Sequence, residues 1–345
     1  MTISTKPKRL GFFTRVLDQA DAGERYRLVS EQIIHAEKHG FDSAWVAQHH
    51  FHADEGGLPS PAVFLAHVGA RTSHIRLGTG VITLPMENAI RVAEDTSVLD
   101  LLSNGRLEVG FGTGGTRESF ETFGVDSDKR GEVYAANLQL VRDAWSGIRL
   151  NGGNHLYPTA PHLINHVWLA TFSALGSKLA GLSGDGLMLS RTQPRDPQNP
   201  DASLSDIQNP IIDAYLNALP EGKTPRILGS RSLFVAEDRK RALQLAEYGL
   251  SDFAAKMAAR GLPVQARNVE DLIRVFDSHV GTPDDVIASL KQDTALPRST
   301  DLVFQVHSID PPHEDILRSI ELTAQYVAPA LGWHKQLSSK LVAAE

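Results

Sequence analysis

The sequence predicts a (β/α)8 TIM barrel with insertions in the loops at its C-terminal rim, on three observations. Short apolar, β-rich runs alternate with longer segments of helical period, the pattern of parallel βα units. Eight such runs can be counted along the chain. Its 345 residues show no internal repeat and no dividing linker, and a barrel is one of the few architectures that fills this length as one unit. Residues 1–345 therefore form a single predicted domain, with a core over about 9–330 and a C-terminal tail over 331–345.

The first strand is Arg9 to Phe13, followed by a helix from about Tyr26 to His39 that Gly40 ends as a C′ residue. Ser43 to Ala47 is the second strand, and the apolar Pro61 to Arg71 the second helix. The third strand is Ile75 to Thr83, the third helix Ala89 to Leu102, and the fourth strand Leu107 to Phe111. Val133, Leu138, Val141 and Trp145 give Arg130 to Trp145 a helical period. Weakly patterned chain from Gly147 to Asn165 precedes a fifth strand at His166 to Thr171, a short helix at Ser177 to Leu182 and a sixth strand at Leu187 to Ser190. Arg191 to Ser205, rich in Pro, Asp, Gln and Asn, reads as a long loop. Ile207 to Leu219 is helical, Arg226 to Val235 the seventh strand and Arg239 to Arg260 a helix. Gly261 to Val280 carries no clear pattern. Thr282-Pro283-Asp284-Asp285 then starts a helix through Leu290 with its cap, its proline and its acidic first turn in place. Asp301 to Val306 is the eighth strand and Glu314 to Tyr326 the closing helix.

Composition removes several function classes. Hydrophobic residues make up 41% and charged residues 22%, ordinary for a soluble globular protein with a sizeable core. A net charge of −7 without a basic block leaves no electrostatic footprint for nucleic acid. With no cysteine there are no disulfides, thiolate metal sites or cysteine nucleophile, which fits a reducing compartment. Residues 1–9 lack a signal-peptide core, and no apolar run approaches the length of a membrane span. The expected location is the cytoplasm.

Chemistry-bearing residues gather at the predicted strand ends. Gln48-His49-His50 closes strand two, where an imidazole can move a proton or stabilise developing negative charge. Strand alternation predicts that only one of the two histidines faces the barrel mouth. His49, His50 and His52 also cluster, but adjacent histidines do not readily chelate one ion, so no metal is assigned. Gly80-Val81 interrupts strand three as a bulge or a close-approach site does. Gly110-Phe111-Gly112-Thr113-Gly114-Gly115 has the spacing of a dinucleotide fingerprint but follows the fourth strand, starts no strong helix and lacks the later acidic strand end. What survives is either close approach of a flat ring or phosphate to bare backbone, or a flexible loop. Ser173 to Lys178, including Gly176, opens a helix whose N-terminus can hold a phosphate, with Arg130 and Arg191 as candidate added charge. Arg91, Glu94 and Asp95 read as a structural ion network. His35, His39, His67 and His74 read as solvated or packing residues.

Taken together these segments resemble the bacterial luciferase-like flavin-dependent monooxygenases. The residues that carry the resemblance are Gly40-Phe41-Asp42-Ser43-x-Trp45, His49-His50-Phe51, Gly78-Thr79 through Leu84-Pro85, Arg91-x-Ala93-Glu94-Asp95, Leu99-Asp100-x-x-Ser103-x-Gly105-Arg106 and Val280 to Asp285. They recur in consistent order over nearly the whole chain. The resemblance implies a barrel, often dimeric, that binds FMN at the C-terminal rim. Reduced FMN from a separate flavin reductase would react there with O2 to oxygenate a small organic substrate. It makes His49 the catalytic imidazole and Gly80-Val81 a non-prolyl cis peptide behind the flavin. Gln48, Gly112, Thr113, Arg130, Ala170, Ser173, Gly176, Ser190 and Arg191 become cofactor contacts. Three departures stand out: Gln48 where a glutamate is usual, Gly112 and Thr113 in place of the Cys and Arg of the light-emitting enzymes, and Phe172 in place of a Glu. They point away from light emission. The same scaffold also serves F420-dependent hydride transfer, and a flavin-binding protein without turnover is a further reading.

Overall fold

Eight parallel strands close on one another, and the pairings that close them explain why the chemistry-bearing strand ends meet. The computed structural model describes residues 7–196, 198–259, 261–306 and 311–333. The barrel strands are β1 (Arg9–Thr14), β2 (Ser43–Val46), β3 (Arg76–Thr83), β4 (Leu107–Gly112), β5 (Val167–Ala170), β6 (Gly186–Leu189) and β7 (Ile227–Val235), with β9 (Asp301–Gln305) completing the ring. The order β6-β5-β4-β3-β2-β1-β9-β7 closes through a β6–β7 pairing. A ninth strand, β8 (Ser278–Gly281), lies outside the ring and pairs with the C-terminal half of β7, Ser232 to Val235. The first half of that long strand belongs to the barrel, where Leu228 to Ser232 pair with Asp301 to Gln305.

The outer layer holds α1 (Ala22–Lys38), α2 (Pro61–Gly69), α3 (Ala89–Leu102), α4 (Arg117–Thr122), α5 (Arg130–Trp145), α6 (Ala174–Ser183), α7 (Leu204–Ala218), α8 (Arg239–Ala259), α9 (Val269–Val275), α10 (Pro283–Leu290) and α11 (His313–Leu322). A large apolar core separates these helices from the sheet, and a second, smaller cluster fills the barrel itself: Trp45, Trp168, Met188, Leu228 and Val303. Trp45 and Trp168 meet edge-on with ring centroids 5.7 Å apart. Glycines make room for both indoles. A Cβ on Gly78 would lie 2.2 Å from the Trp45 ring, and one on Gly186 2.3 Å from the Trp168 ring. Below them Glu108 accepts from Trp168 Nε1 at 2.7 Å and from Arg76 Nε at 2.6 Å. Burial pushes the Glu108 carboxyl up, but the contacts of His166, Arg76 and Trp168 outweigh it and hold the group at about 2. The barrel is thus plugged at its N-terminal end and open at the other.

Several expected boundaries move for identifiable reasons. Helix α1 begins at Ala22 rather than Tyr26, because the Asp21 side chain caps it through the Glu24 amide. Helix α7 begins at Leu204 rather than Ile207, because Ser203 and Asp206 form a capping box. The stretch 261–280, expected to be irregular, contains α9 and β8, and the eighth predicted strand is the ninth in chain order. Chain after Gly115, from which no strong helix was expected, holds the six-residue α4. The start of the chain (1–6), Arg260 and most of the tail (334–345) lie outside the described residues.

Candidate functional site

The C-terminal rim opens into a cavity of about 1370 Å³, lined by every residue that the sequence singled out for the site. That exceeds the roughly 300–1,000 Å³ usual for small-molecule pockets. Its floor is the top of the inner core, lined by Phe13, Trp45, Val81, Ala170, Met188 and Leu228.

Strand β3 reaches the floor through an irregularity. Its pairing with β4 jumps from Thr79↔Val109 to Ile82↔Phe111, so Gly80 and Val81 bulge out of the ladder. The Thr79 hydroxyl fills the gap by donating to the Gly110 carbonyl at 3.0 Å and accepting from its amide at 2.8 Å. The Gly80–Val81 bond is cis. Gly112 faces the same bulge, and a Cβ there would lie 2.6 Å from Val81 Cγ2.

The segment after β2 carries His49. Its amide donates to the Leu58 carbonyl, and the returning loop is held where Gly57 donates to the Arg15 carbonyl and accepts from the Tyr26 hydroxyl. Gly56 sits directly against the imidazole, since a Cβ there would lie 2.4 Å from Nδ1. Nδ1 is buried with no hydrogen-bond partner, which leaves Nε2 as the nitrogen available to a ligand. Burial, then the positive charge of Arg15 and the nearby His50 and Arg191, push the His49 imidazole down to about 3. The ring is therefore neutral at physiological pH. His50 also lines the cavity and is likewise pushed down by burial. The expectation that only one histidine faces the mouth fails because β2 ends at Val46, so strand alternation does not extend to residues 49 and 50. His50 turns toward the rim, 4.8 Å edge-on from the Phe123 ring.

Gln48 lines the cavity, yet its amide is committed to the scaffold. Oε1 accepts from the Thr83 amide at 2.7 Å, and Nε2 donates to the Pro59 carbonyl at 3.1 Å and to Glu87 at 2.6 Å. It joins the ends of β2 and β3 and positions the histidine beside it. Burial raises the Glu87 carboxyl, with Gln48 opposing and Asp95 adding to the rise. On the opposite wall Ser173 caps α6 by accepting from the Gly176 amide at 3.1 Å, so that helix begins at the cavity, at Ala174 rather than Ser177. Arg191 lies beyond β6 and donates from Nε to Gln305 Oε1 at 2.7 Å. Arg130, at the start of α5, donates to the Ser127 carbonyl at 2.8 Å. Thr113 and Ser190 lie on the same rim. Arg91 pairs with Glu94 and Asp95 on the exposed face of α3, as a structural network does.

Sequence reasoning did not single out Arg15, Gln305 or Arg142, which also line the cavity. Arg15 and Gln305 stand at the C-terminal ends of the first and last barrel strands, a position that could have marked them. Gln305 is fully buried, and its Nε2 has no partner. Arg142, paired with Asp185, comes from within α5 and carries no such signal.

Residues 10–296 match the family described as luciferase-like monooxygenase. The chain belongs to that family. Among its relatives is 4-hydroxyprotoasukamycin monooxygenase of Streptomyces nodosus, 29% identical over 84% of this chain and 82% of that one. The oxygenase component of a flavin-dependent trigonelline monooxygenase from Acinetobacter baylyi is 28% identical over 39% of this chain and 37% of its own. An uncharacterised protein of Sinorhizobium fredii, y4vJ, is 32% identical over 46% of this chain, and the match spans about half of that relative, 48%. Solved structures share the fold. Monooxygenase RslO1 of Streptomyces bottropensis superimposes with a TM-score of 0.76 at 24% identity, over 94% of this chain and 99% of that one. The oxygenating constituent of 3,6-diketocamphane monooxygenase from Pseudomonas putida, in complex with FMN, gives 0.74 at 18% identity, over 96% and 99%. An F420-dependent tetrahydromethanopterin reductase from Methanopyrus kandleri gives 0.66 at 16%, over 94% and 99%. Among the described residues no helix is long and apolar enough to cross a membrane.

Proposed function

We propose that this enzyme is a non-luminescent monooxygenase that uses reduced FMN and O2 to oxygenate a small organic molecule. The observation that carries the reading is convergence. A neutral imidazole with one available nitrogen, the bulged β3 backbone at Gly80-Val81, and the N-terminus of α6 with Ser173 all line one cavity. Those features fit a ribityl-phosphate flavin. The bulged β3 backbone at the cavity floor offers a surface to a flat ring, and the first amides of α6 with Ser173, aided by Arg130 or Arg191, suit the phosphate. Bound reduced FMN would supply the two electrons that activate O2. His49 Nε2 would donate or accept one hydrogen bond at the reacting centre, acting as a neutral group.

The cavity wall also carries exposed apolar side chains, with Phe172 58%, Leu175 70% and Leu179 55% accessible. That surface favours a largely apolar organic substrate. The named relatives that are monooxygenases support oxygenation over F420-dependent hydride transfer, and the oxygenase-component relative supports a separate flavin reductase as partner. A homodimer in the cytoplasm completes the reading, and light scattering of the purified protein tests the dimer.

The deciding experiment is parallel anaerobic titration with reduced FMN and reduced F420, followed by mixing with O2. Tight binding of reduced FMN, with reoxidation slower than in free solution and accelerated in His49→Ala, supports the proposal. Binding of reduced F420 alone replaces it with hydride transfer. Tight binding of oxidised FMN without any effect on reoxidation replaces it with a flavin-binding protein lacking turnover.

A further inference from the structure

We infer that His35, His39 and Glu321 form a divalent transition-metal site on the outside of the barrel, between its first and last long helices. The histidines stand one turn apart at the C-terminal end of α1, His35 in its last turn and His39 as its cap, with ring centroids 4.5 Å apart. Glu321 comes from α11. Its Oε1 lies 3.0 Å from His35 Nε2 and 3.9 Å from His39 Nε2. Zinc holds nitrogen and oxygen ligands at about 2.0–2.2 Å, and tetrahedral angles then place the donor atoms about 3.3 Å apart. The two observed separations bracket that value.

A second observation concerns His35. Its Nε2 is buried and makes no hydrogen bond, although Glu321 Oε1 is so near. The pair is close enough to share an ion, and the carboxylate already attracts the imidazole across that gap. The carboxylate is already oriented for ligation, because Arg318 holds its other oxygen and is itself held by Glu237. Outer partners of this kind commonly fix a ligand in place. Burial pushes both imidazoles below their ordinary value, which keeps them in the neutral form that metals bind. Lys38 and Arg318 flank the cluster as positive charges. With three ligands and those neighbours the affinity is lower than that of a four-ligand structural site.

Imidazole with one carboxylate selects zinc, copper or nickel over magnesium and calcium, which prefer all-oxygen shells. An ion held by all three ligands would favour the folded chain, since Glu321 lies far in sequence from the two histidines and reaches them only when α11 packs on α1. It would stabilise the closure between α1 and α11 by mass action. The inference is independent of the flavin reading.

The test is calorimetric titration of EDTA-treated protein with Zn2+, and with Mg2+ as a control, alongside thermal melts. One Zn2+ per chain with a raised melting temperature, no response to Mg2+, and at least about a tenfold loss of affinity in both His39→Ala and Glu321→Gln support the site. His39 is the more exposed histidine, and Glu321→Gln is nearly isosteric, so metal-free melts of the two variants guard against loss of fold. The chain has 14 histidines, so Zn2+ bound equally well by both variants sits elsewhere and overturns the inference. Absence of Zn2+ binding in the wild type overturns it as well.

Discussion

The depressed His49 imidazole makes a prediction about acid stability that can be worked through. Its ordinary value is 6.5, and in the folded protein burial beside Arg15, His50 and Arg191 pushes it to about 3. Above pH 6.5 the ring is neutral in folded and unfolded chains, so it adds no pH dependence. Between 6.5 and 3 the unfolded chain takes up a proton that the folded chain refuses, and stability falls as the pH falls. Each pH unit in that window is worth about 1.4 kcal/mol, so the loss is about 2 kcal/mol at pH 5 and about 4–5 kcal/mol once the folded value is reached. His49→Gln removes this contribution. Urea unfolding followed by tryptophan fluorescence at pH 7, 6 and 5 should therefore show the wild type losing about 2 kcal/mol more than the variant. His279, which burial pushes down to about 4, and the other depressed histidines remain in both proteins and cancel in the difference. Parallel pH dependences would mean that the ring titrates normally, and a cationic role for His49 at neutral pH would then have to replace the neutral one argued here.

Other substitutions test the surrounding shell. Gly56→Ala puts a Cβ 2.4 Å from His49 Nδ1, so the ring must move by about 1 Å, which costs about 100-fold in turnover with flavin affinity largely kept; equal reoxidation kinetics of bound reduced flavin in variant and wild type would refute it. Gln48→Glu, although it installs the residue usual in the family, loses the donors to Pro59 and Glu87 and sets a second carboxylate 2.6 Å from Glu87. It should destabilise the protein by about 1–3 kcal/mol at pH 7 and less at pH 5, because the paired carboxyls have a raised folded value whose stabilisation is present at low pH and lost as the pH rises; urea titrations at the two pH values check the sign. Ser173→Ala removes the cap of α6 and a proposed phosphate contact, with an expected loss of about 1 kcal/mol in stability and weaker FMN binding measured by fluorescence quenching.

What was legible in the sequence follows from which interactions are local. Strands β1 to β7 and helices such as α3 and α10 announce themselves through period, caps and glycines within a dozen residues. Thr282 and Asp285 form the capping box that their spacing suggests. Strand β8 is four residues, Ser-His-Val-Gly, with no alternation to read, and it is a strand only because β7 runs past the barrel and offers a free edge. Helix α9 depends on Asn268 as its cap within a polar stretch too short to show a period. Both elements arise from tertiary context that no local window contains.

The site divides along the same line. A parallel barrel delivers the C-terminal end of every strand to one rim, so polar residues and glycines in the C-terminal parts of β3 and β4 and just past β2, β4, β5 and β6 could be assigned to one cavity before any distance was known. What each side chain does there depends on partners brought in by closure. Gln48 reads as a ligand contact from its position, but the Thr83 amide, the Pro59 carbonyl and Glu87 claim its amide and turn it into a positioning residue. His49 reads as an ordinary rim imidazole near neutral pKa, yet Gly56 at its Nδ1 and the burial that follows change its charge state. Gly56 itself looks like plain loop glycine in the sequence. It matters because closure of the loop on Leu58 and Arg15 lays its backbone against the ring. The address of a residue in a barrel can be read locally, whereas its protonation state and its freedom to meet a ligand are properties of the closed fold.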